Sequence, residues 1–409
     1  MTYNYHKTEQ LKQIATEWRM FIQGRRFVWL MMPPWDSVWT RQNHFALRLA
    51  ELGAEILYVE QPVSLTRFAR QRRLPDRYRP QIRSVHERIQ VMTPSPVVPG
   101  SMKSDLIAEL AGRQIGGAVS EFLRQNRWDR YACWHRLPAS LYATRHLKPA
   151  PAMRVYDMTD DYSTYVSGQR AENVRRRERE LLQMVDLVLV TSPALLRLGT
   201  AHNNNIFFIP NGVDYELFAQ VGTPAAQRDP SVAHLKSPVI GYVGLIKDWI
   251  NLDLVAQISE RWPGQVLFVG PFDGGMEEKA RAIPGIHWTG FVERSNLVGY
   301  LEAMDICTIP FHVNDQTRAS YPLKLWEYMA TGRPVVSTDL PAARAGEDLI
   351  DIARSEGEFV ALIDWLLTQG EDPARGQARR DLARQYSWDN LFQSLLTHLR
   401  DTVEKLPTA

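Results

Sequence analysis

Lys324 and Glu327 stand three residues apart in SYPLKLWEYMATGRPVVST, residues 320–338, a spacing that puts both heads on one face of a helix. Pro322 just upstream suits a first helical turn. Free backbone N–H groups near Ser320 to Leu323 attract phosphate. Lys324 adds a point charge, and the Glu327 carboxylate can accept two ribose hydroxyls, so the set fits a bound nucleotide. The same K-x-x-E spacing in isolation is an amphipathic helix with an i,i+3 ion pair. The run GRPVVST reads as helix-ending Gly332 followed by a buried strand.

A second set of reactive types lies earlier. MRVYDMTDDY, residues 153–162, ends an apolar run with Asp157, Asp160 and Asp161. Carboxylates this close resist joint ionisation, so one with a raised pKa is suited to take a proton from a hydroxyl. Asp160 or Asp161 can equally cap the following turn. His135 follows another strand-like run, in YACWHRLPAS. The turn PPWDSVWTRQNH, 33–44, carries Trp35, Trp39, Arg41 and His44. Tryptophan faces stack on sugar rings and an arginine at a helix start suits a phosphate. Trp39, Arg41 and His135 are the candidate contacts for a second substrate.

These residues need rigid elements behind them. FVWLMMP, 27–33, reads as a parallel strand, RQNHFALRLAELG, 41–53, as a helix ended by Gly53, and AEILYVEQP, 54–62, as the next strand. Further strands are expected at 88–92, 130–134, 153–157 and 186–190, with helices at 104–126 and 167–184. The second half repeats the alternation at 238–243, 251–262, 265–269, 296–304, 305–309, 322–331 and 333–337. Ser387 caps a last helix over 387–406. Strand and helix in strict alternation give two doubly wound α/β domains with ligands at the carboxyl ends of the strands. No G-x-G-x-x-G follows the first strand, which speaks against a dinucleotide-dependent dehydrogenase.

With FIPNGVD at 208–214, PVIGYVG at 238–244 and HWTGFVERSNLVGYLEAMDICTIPF at 287–311 in this order, the chain resembles GT-B glycosyltransferases. In particular it resembles glycosyltransferase family 4 and its relatives that build bacterial surface polysaccharides. The resemblance implies two Rossmann-like domains facing a central cleft: an acceptor domain over 1–207, joined by a C-terminal helix at 386–409, and a nucleotide-sugar domain over 208–385. It places a hinge near 210–214, about which closure would exclude water. Donor contacts are implied at Gly244, Lys247, Phe291, Val292, Ser320, Tyr321, Pro322, Leu323, Lys324 and Glu327, with the base against Phe291 and Val292. Lys324 and the helix N–H groups would stabilise the departing diphosphate in place of a metal. No metal and no cofactor beyond the nucleotide-sugar co-substrate is expected. Asp157 falls near where many family 4 enzymes hold a histidine beside the reacting sugar.

Two departures stand out. Many family 4 enzymes carry a glutamate seven residues before the ribose glutamate; here that position is Ser320, so the sugar must be read differently. The cations after the glycine turn reduce to Lys247, which leaves more of the diphosphate charge to Lys324. The expected activity is transfer of a sugar, from a UDP-sugar in first place, to a glycan or lipid-linked acceptor, with retention of configuration. An Asp157 base would suit inversion instead. A nucleotide-sugar 2-epimerase lacks support, since its characteristic glutamate and histidine segments are missing. A nucleotide-sugar-binding protein without catalysis is motivated by Ser320.

Composition fits a globular enzyme of two or three domains: 409 residues, 44% hydrophobic and 23% charged, are enough for sizeable cores. A net charge of +2 argues against a general nucleic-acid binder, yet residues 67–88 hold eight arginines against Asp76 and Glu87. That patch suits an anionic membrane surface; no reader motif for nucleic acid accompanies it. The polar N-terminus lacks a signal-peptide pattern and no apolar run reaches spanning length. A cytoplasmic protein, peripheral on the inner membrane face, is expected. Cys133 and Cys307 lie in apolar strand-like runs without metal spacing and read as buried free thiols.

Overall fold

The computed structural model describes residues 16–37, 39–66, 79–101, 103–273, 275–346 and 348–406. Most of the arginine-rich expectation, residues 67–78, lies outside the described residues. The chain divides into two compact units, Met1–Pro210 with Leu391–Ala409, and Asn211–Asn390. The borders therefore fall after Pro210 and after Asn390, where residues 207 and 385 were expected.

In the first unit, strands β1 (Arg26–Met32), β2 (Glu55–Glu60), β3 (Gln81–His86), β4 (Ile89–Thr93), β5 (Ala132–His135), β6 (Met153–Met158), β7 (Leu187–Val190) and β8 (Ile206–Phe208) form one sheet. Its order is β3-β4-β2-β1-β5-β6-β7-β8. All neighbours pair parallel except β3 with β4. The apolar run of β1 is buried from Phe27 to Met32, as a strand covered on both faces by helices must be. The antiparallel β3 escaped the sequence reading because its QIRSVH is largely exposed and lacks a buried run.

The second unit holds β9 (Ile240–Val243), β10 (Val266–Val269), β11 (Ile286–Trp288), β12 (Ile306–Ile309), β13 (Val335–Thr338) and β14 (Asp351–Ala353). They run parallel in the order β11-β10-β9-β12-β13-β14. The strand order reverses between β9 and β12 here, and between β1 and β5 in the first unit. Such reversals are where doubly wound sheets receive ligands. The helix Trp388–Lys405 starts in the second unit and from Leu391 belongs to the first, packing Phe392 near Phe45 with rings 6.3 Å apart. Both cysteines are buried, in β5 and β12, and burial pushes each thiol up to about 12.

One buried carboxyl gives the first unit a pH-dependent stability. Glu178, on the helix Gln169–Met184, is 3% exposed and accepts a hydrogen bond from the Tyr156 hydroxyl at 2.7 Å. Burial raises its pKa to about 8, helped by Asp161 and opposed by the Tyr156 bond. The folded state thus holds a proton that the unfolded chain releases at the ordinary carboxylate value. Stability from this group is present at low pH and is lost as pH rises through about 8. Glu178→Gln, which mimics the neutral acid, should match the parent in urea melts near about pH 5 and exceed it by on the order of 4 kcal/mol near about pH 9.

Candidate functional site

In the second unit the helix Leu323–Thr331 follows Pro322, whose extended backbone (φ −63°, ψ 125°) forms the N-cap, and ends at Gly332 in a left-handed conformation. In the first turn the Leu325 N–H donates to the Pro322 carbonyl at 3.3 Å, while the N–H groups of Leu323 and Lys324 have no carbonyl four residues back in the helix to meet. Lys324 Nζ lies 3.4 Å from Glu327 Oε2. Gly244, directly after β9 with φ 148°, fits this helix because it has no side chain: a Cβ there would sit 2.4 Å from Lys324 Cε. Tyr328 anchors the same turn by accepting a hydrogen bond from the Val243 amide at 2.7 Å. The glycine turn and the lysine thus meet at the strand-order reversal.

Arg294 completes the group, and the sequence reading did not single it out. Its Nη1 lies 3.6 Å from Glu327 Oε1, and its Nη2 lies 3.9 Å from Asp214 Oδ2. Each Glu327 oxygen therefore faces one cation, and the carboxylate, only 5% exposed, is paired on both sides. Arg294 stands inside the 287–311 loop, but nothing in its local pattern shows that it reaches Glu327.

The other expected donor residues divide. Ser320 donates its hydroxyl to the Thr317 carbonyl at 3.0 Å, Tyr321 is buried with its carbonyl accepting from Asn211 Nδ2 at 2.8 Å, and Leu323 opens the helix. Phe291 is 63% exposed while Val292 packs on the core. Lys247 pairs with Asp273 at 3.4 Å and lies over the Trp249 ring. Its charge is taken up locally, in contrast to the role expected for it.

In the first unit the structure corrects three assignments. Asp157, at the end of β6, has no exposed surface. Arg41 Nε lies 3.1 Å and 3.2 Å from its two oxygens, and Gln42 Nε2 donates at 3.1 Å. Burial pushes the Asp157 carboxyl up, and Arg41 and Gln42 pull it back. Arg41 in turn donates Nη1 to the carbonyls of Ile209 at 2.7 Å and Pro210 at 3.1 Å. A carboxylate sealed in this way cannot reach an acceptor hydroxyl, and Arg41, expected at the acceptor, is 2% exposed. The pair fixes the end of the first unit instead.

His135 is likewise fully buried. The Ser140 hydroxyl donates to the Leu137 carbonyl at 2.6 Å, so the 2.8 Å contact between Ser140 Oγ and His135 Nδ1 has the histidine as donor. Burial lowers its pKa to about 3. It stays neutral and packs, rather than lining an acceptor site. Asp161 caps the following turn, accepting from the Ser163 amide at 3.0 Å and hydroxyl at 2.6 Å.

Asp160 differs from its neighbours. It is half-buried, accepts from the Thr159 hydroxyl at 3.2 Å and the Tyr165 hydroxyl at 3.3 Å, and burial raises its carboxyl against the pull of Arg136. Of the three aspartates it is the one neither sealed by an arginine nor capping a turn. Half-buried Trp39 stands edge-on to Trp35 at 6.2 Å, and Trp35 to Tyr58 at 5.0 Å.

Residues 237–369 match the family described as Glycosyl transferases group 1. The putative teichuronic acid biosynthesis glycosyltransferase TuaH of Bacillus subtilis (strain 168) is 26% identical over 298 residues, 66% of this chain and 72% of that protein. Sucrose-phosphate synthase from Thermosynechococcus elongatus superposes with a TM-score of 0.69 at 15% identity, over 93% of this chain and 99% of its own. A trehalose-6-phosphate structure from E. coli, bound with UDP-2-fluoro glucose, gives 0.67 at 12% identity over 92% and 99%. The two doubly wound sheets, the helix of Lys324 and Glu327 set against the Gly244 turn, and the matched domain agree: the chain is a glycosyltransferase of GT-B fold.

Proposed function

We propose that the enzyme transfers a sugar from a nucleoside-diphosphate sugar, a UDP-sugar in first place, to a glycan or lipid-linked acceptor of a surface polysaccharide. The observation that carries this reading is Lys324 packed on the Gly244 turn with Glu327 one helical turn further on. The diphosphate lies at the helix start, where N–H groups and the Lys324 ammonium offset the charge that grows on it as the sugar departs. Glu327 accepts the ribose hydroxyls and Phe291 offers an exposed face to the base. The uridine choice draws on the UDP-sugar seen in the E. coli relative, and the polysaccharide on the teichuronic acid role printed for TuaH.

Transfer proceeds with retention and without a metal. Support comes from the sealing of Asp157: the leaving phosphate oxygen is then the group that takes the acceptor proton, on the same face as attack. Asp160 orients the acceptor hydroxyl. The reading also has the protein work from the cytoplasm against an anionic inner membrane face, for which the eight arginines of 67–88 speak. No helix among the described residues is long and apolar enough to cross a membrane.

Incubation with a panel of nucleotide sugars and isolated lipid-linked glycans, followed by mass spectrometry and proton NMR of the anomeric centre, tests this. One nucleotide sugar should be consumed with a product of unchanged configuration; an inverted product sinks retention, and consumption without acceptor points to epimerisation or hydrolysis. Asp160→Asn should fold normally by circular dichroism and lose about tenfold to a hundredfold in kcat/KM, because one charged hydrogen bond to the acceptor is lost.

A further inference from the structure

Arg136 follows β5 directly, at the point where the first unit's strand order reverses between β1 and β5. In doubly wound sheets the carboxyl ends of strands at such a point receive ligands. β5 pairs with β6 so that His135 faces Tyr156, which brings Arg136 alongside the Asp157 to Asp160 segment. Its guanidinium carbon stands 5.7 Å over the Tyr162 ring, and its charge bears on Tyr162, Asp160, Tyr58 and Asp157.

Among the described residues this arginine is left without a polar partner at the carboxyl end of its strand; Arg154, whose Nε is likewise buried and unpartnered, stands at the opposite, amino end of β6. Among those residues Arg136 makes no hydrogen bond and no ion pair within 4.0 Å, and its Nε is buried without a partner. Arg136 is half-buried, whereas three fully buried arginines each face a carboxylate: Arg41 faces Asp157 at 3.1 Å, Arg177 faces Asp105 at 2.9 Å and Arg379 faces Glu371. Desolvating a guanidinium without a counter-ion is costly, and its forked donors fit two oxygens of one planar or tetrahedral oxyanion. Around it stand Tyr162, Tyr58 and, through Tyr58, the Trp35 and Trp39 pair. Aromatic faces beside a forked cation suit a sugar ring that carries a charge.

We propose that Arg136 binds an oxyanion carried by the acceptor, making the acceptor an acidic saccharide, either a uronate or a sugar phosphate. This rests on the reading that the first unit receives the acceptor. Asp160 then meets the neutral hydroxyl that reacts, while Arg136 holds the charged group and fixes the ring's orientation between them.

Calorimetry with glucose, glucuronate and glucose 6-phosphate on the intact protein tests this, alongside UDP as a separate ligand of the second unit. Wild type should bind one or both anions at least about tenfold more tightly than glucose, the gain expected of a charge-assisted bond. The stronger anion tells carboxylate from phosphate. Arg136→Gln should erase that preference while UDP affinity and the melting temperature hold, and Arg136→Lys should keep part of it. Equal affinity for the three sugars, an unchanged preference in Arg136→Gln, or no binding of either anion at millimolar concentration overturns the proposal. Loss of UDP binding in wild type would instead overturn the donor reading and leave the anion result standing. If Arg136→Gln fails to fold, the Arg136→Lys ratio of anion to glucose affinity decides: a ratio equal to that of wild type refutes forked recognition.

Discussion

Glu327→Ala should weaken UDP binding about a hundredfold by calorimetry, with the melting temperature in the absence of nucleotide lowered only modestly. Two contributions set the size. A carboxylate that accepts two ribose hydroxyls contributes charge-assisted bonds of roughly 1.5–3 kcal/mol each at most, partly offset by water lost from both sides. Its removal also leaves Lys324 and Arg294 facing each other without the anion that now separates them, so Lys324 is pushed from the Gly244 turn it packs against. Glu327→Gln keeps the shape and one acceptor oxygen, and should recover part of the affinity. UDP binding unchanged in Glu327→Ala would place the donor elsewhere and remove the central support for the proposed activity.

Asp157→Ala should cost about 3–5 kcal/mol in chemical denaturation, the range for breaking a buried ion pair from one side. The guanidinium of Arg41 would stay buried with only the Ile209 and Pro210 carbonyls to accept from it. Arg41→Met should cost a similar amount, since it strands the carboxylate. The double variant Arg41→Met with Asp157→Leu should be less destabilised than the sum of the two, because neither charge is then left unpaired. Strict additivity would show that the pair is not coupled. A selective loss of turnover in Asp157→Asn with stability intact would restore that residue as a base and reverse the correction drawn from its burial.

The parts of this molecule that were legible beforehand share a physical cause. Buried parallel strands need continuous apolar runs, so β1, β2, β9, β10, β12 and β13 could be read from their sequences, and the helix of Lys324 and Glu327 from its spacing and its Gly332 stop. What sequence could not supply was which side chain meets which across distant elements. Asp157 and Asp160 are near neighbours in a single run of carboxylates, and only the position of Arg41 on another element decides that one is sealed and the other accessible. Arg294 was inside a segment already singled out, yet its pairing with Glu327 depends on how the turn after β11 lies beside the helix Leu323–Thr331. His135 looked like a ligand because it follows a strand, but Ser140 five residues on captures its Nδ1. Arg136 carried no signal at all, because being unpaired is a property of its surroundings.

The second unit is spliced into the first between Pro210 and Leu391. Synthesis therefore completes the second unit before the first unit has its last piece. Phe392, Leu395, Leu396 and Leu399 are all at most 2% exposed, and until they emerge from the ribosome the apolar surface that includes Phe45 stays open to water. During that interval the first unit is the half in need of a chaperone, while the second can already close its own core.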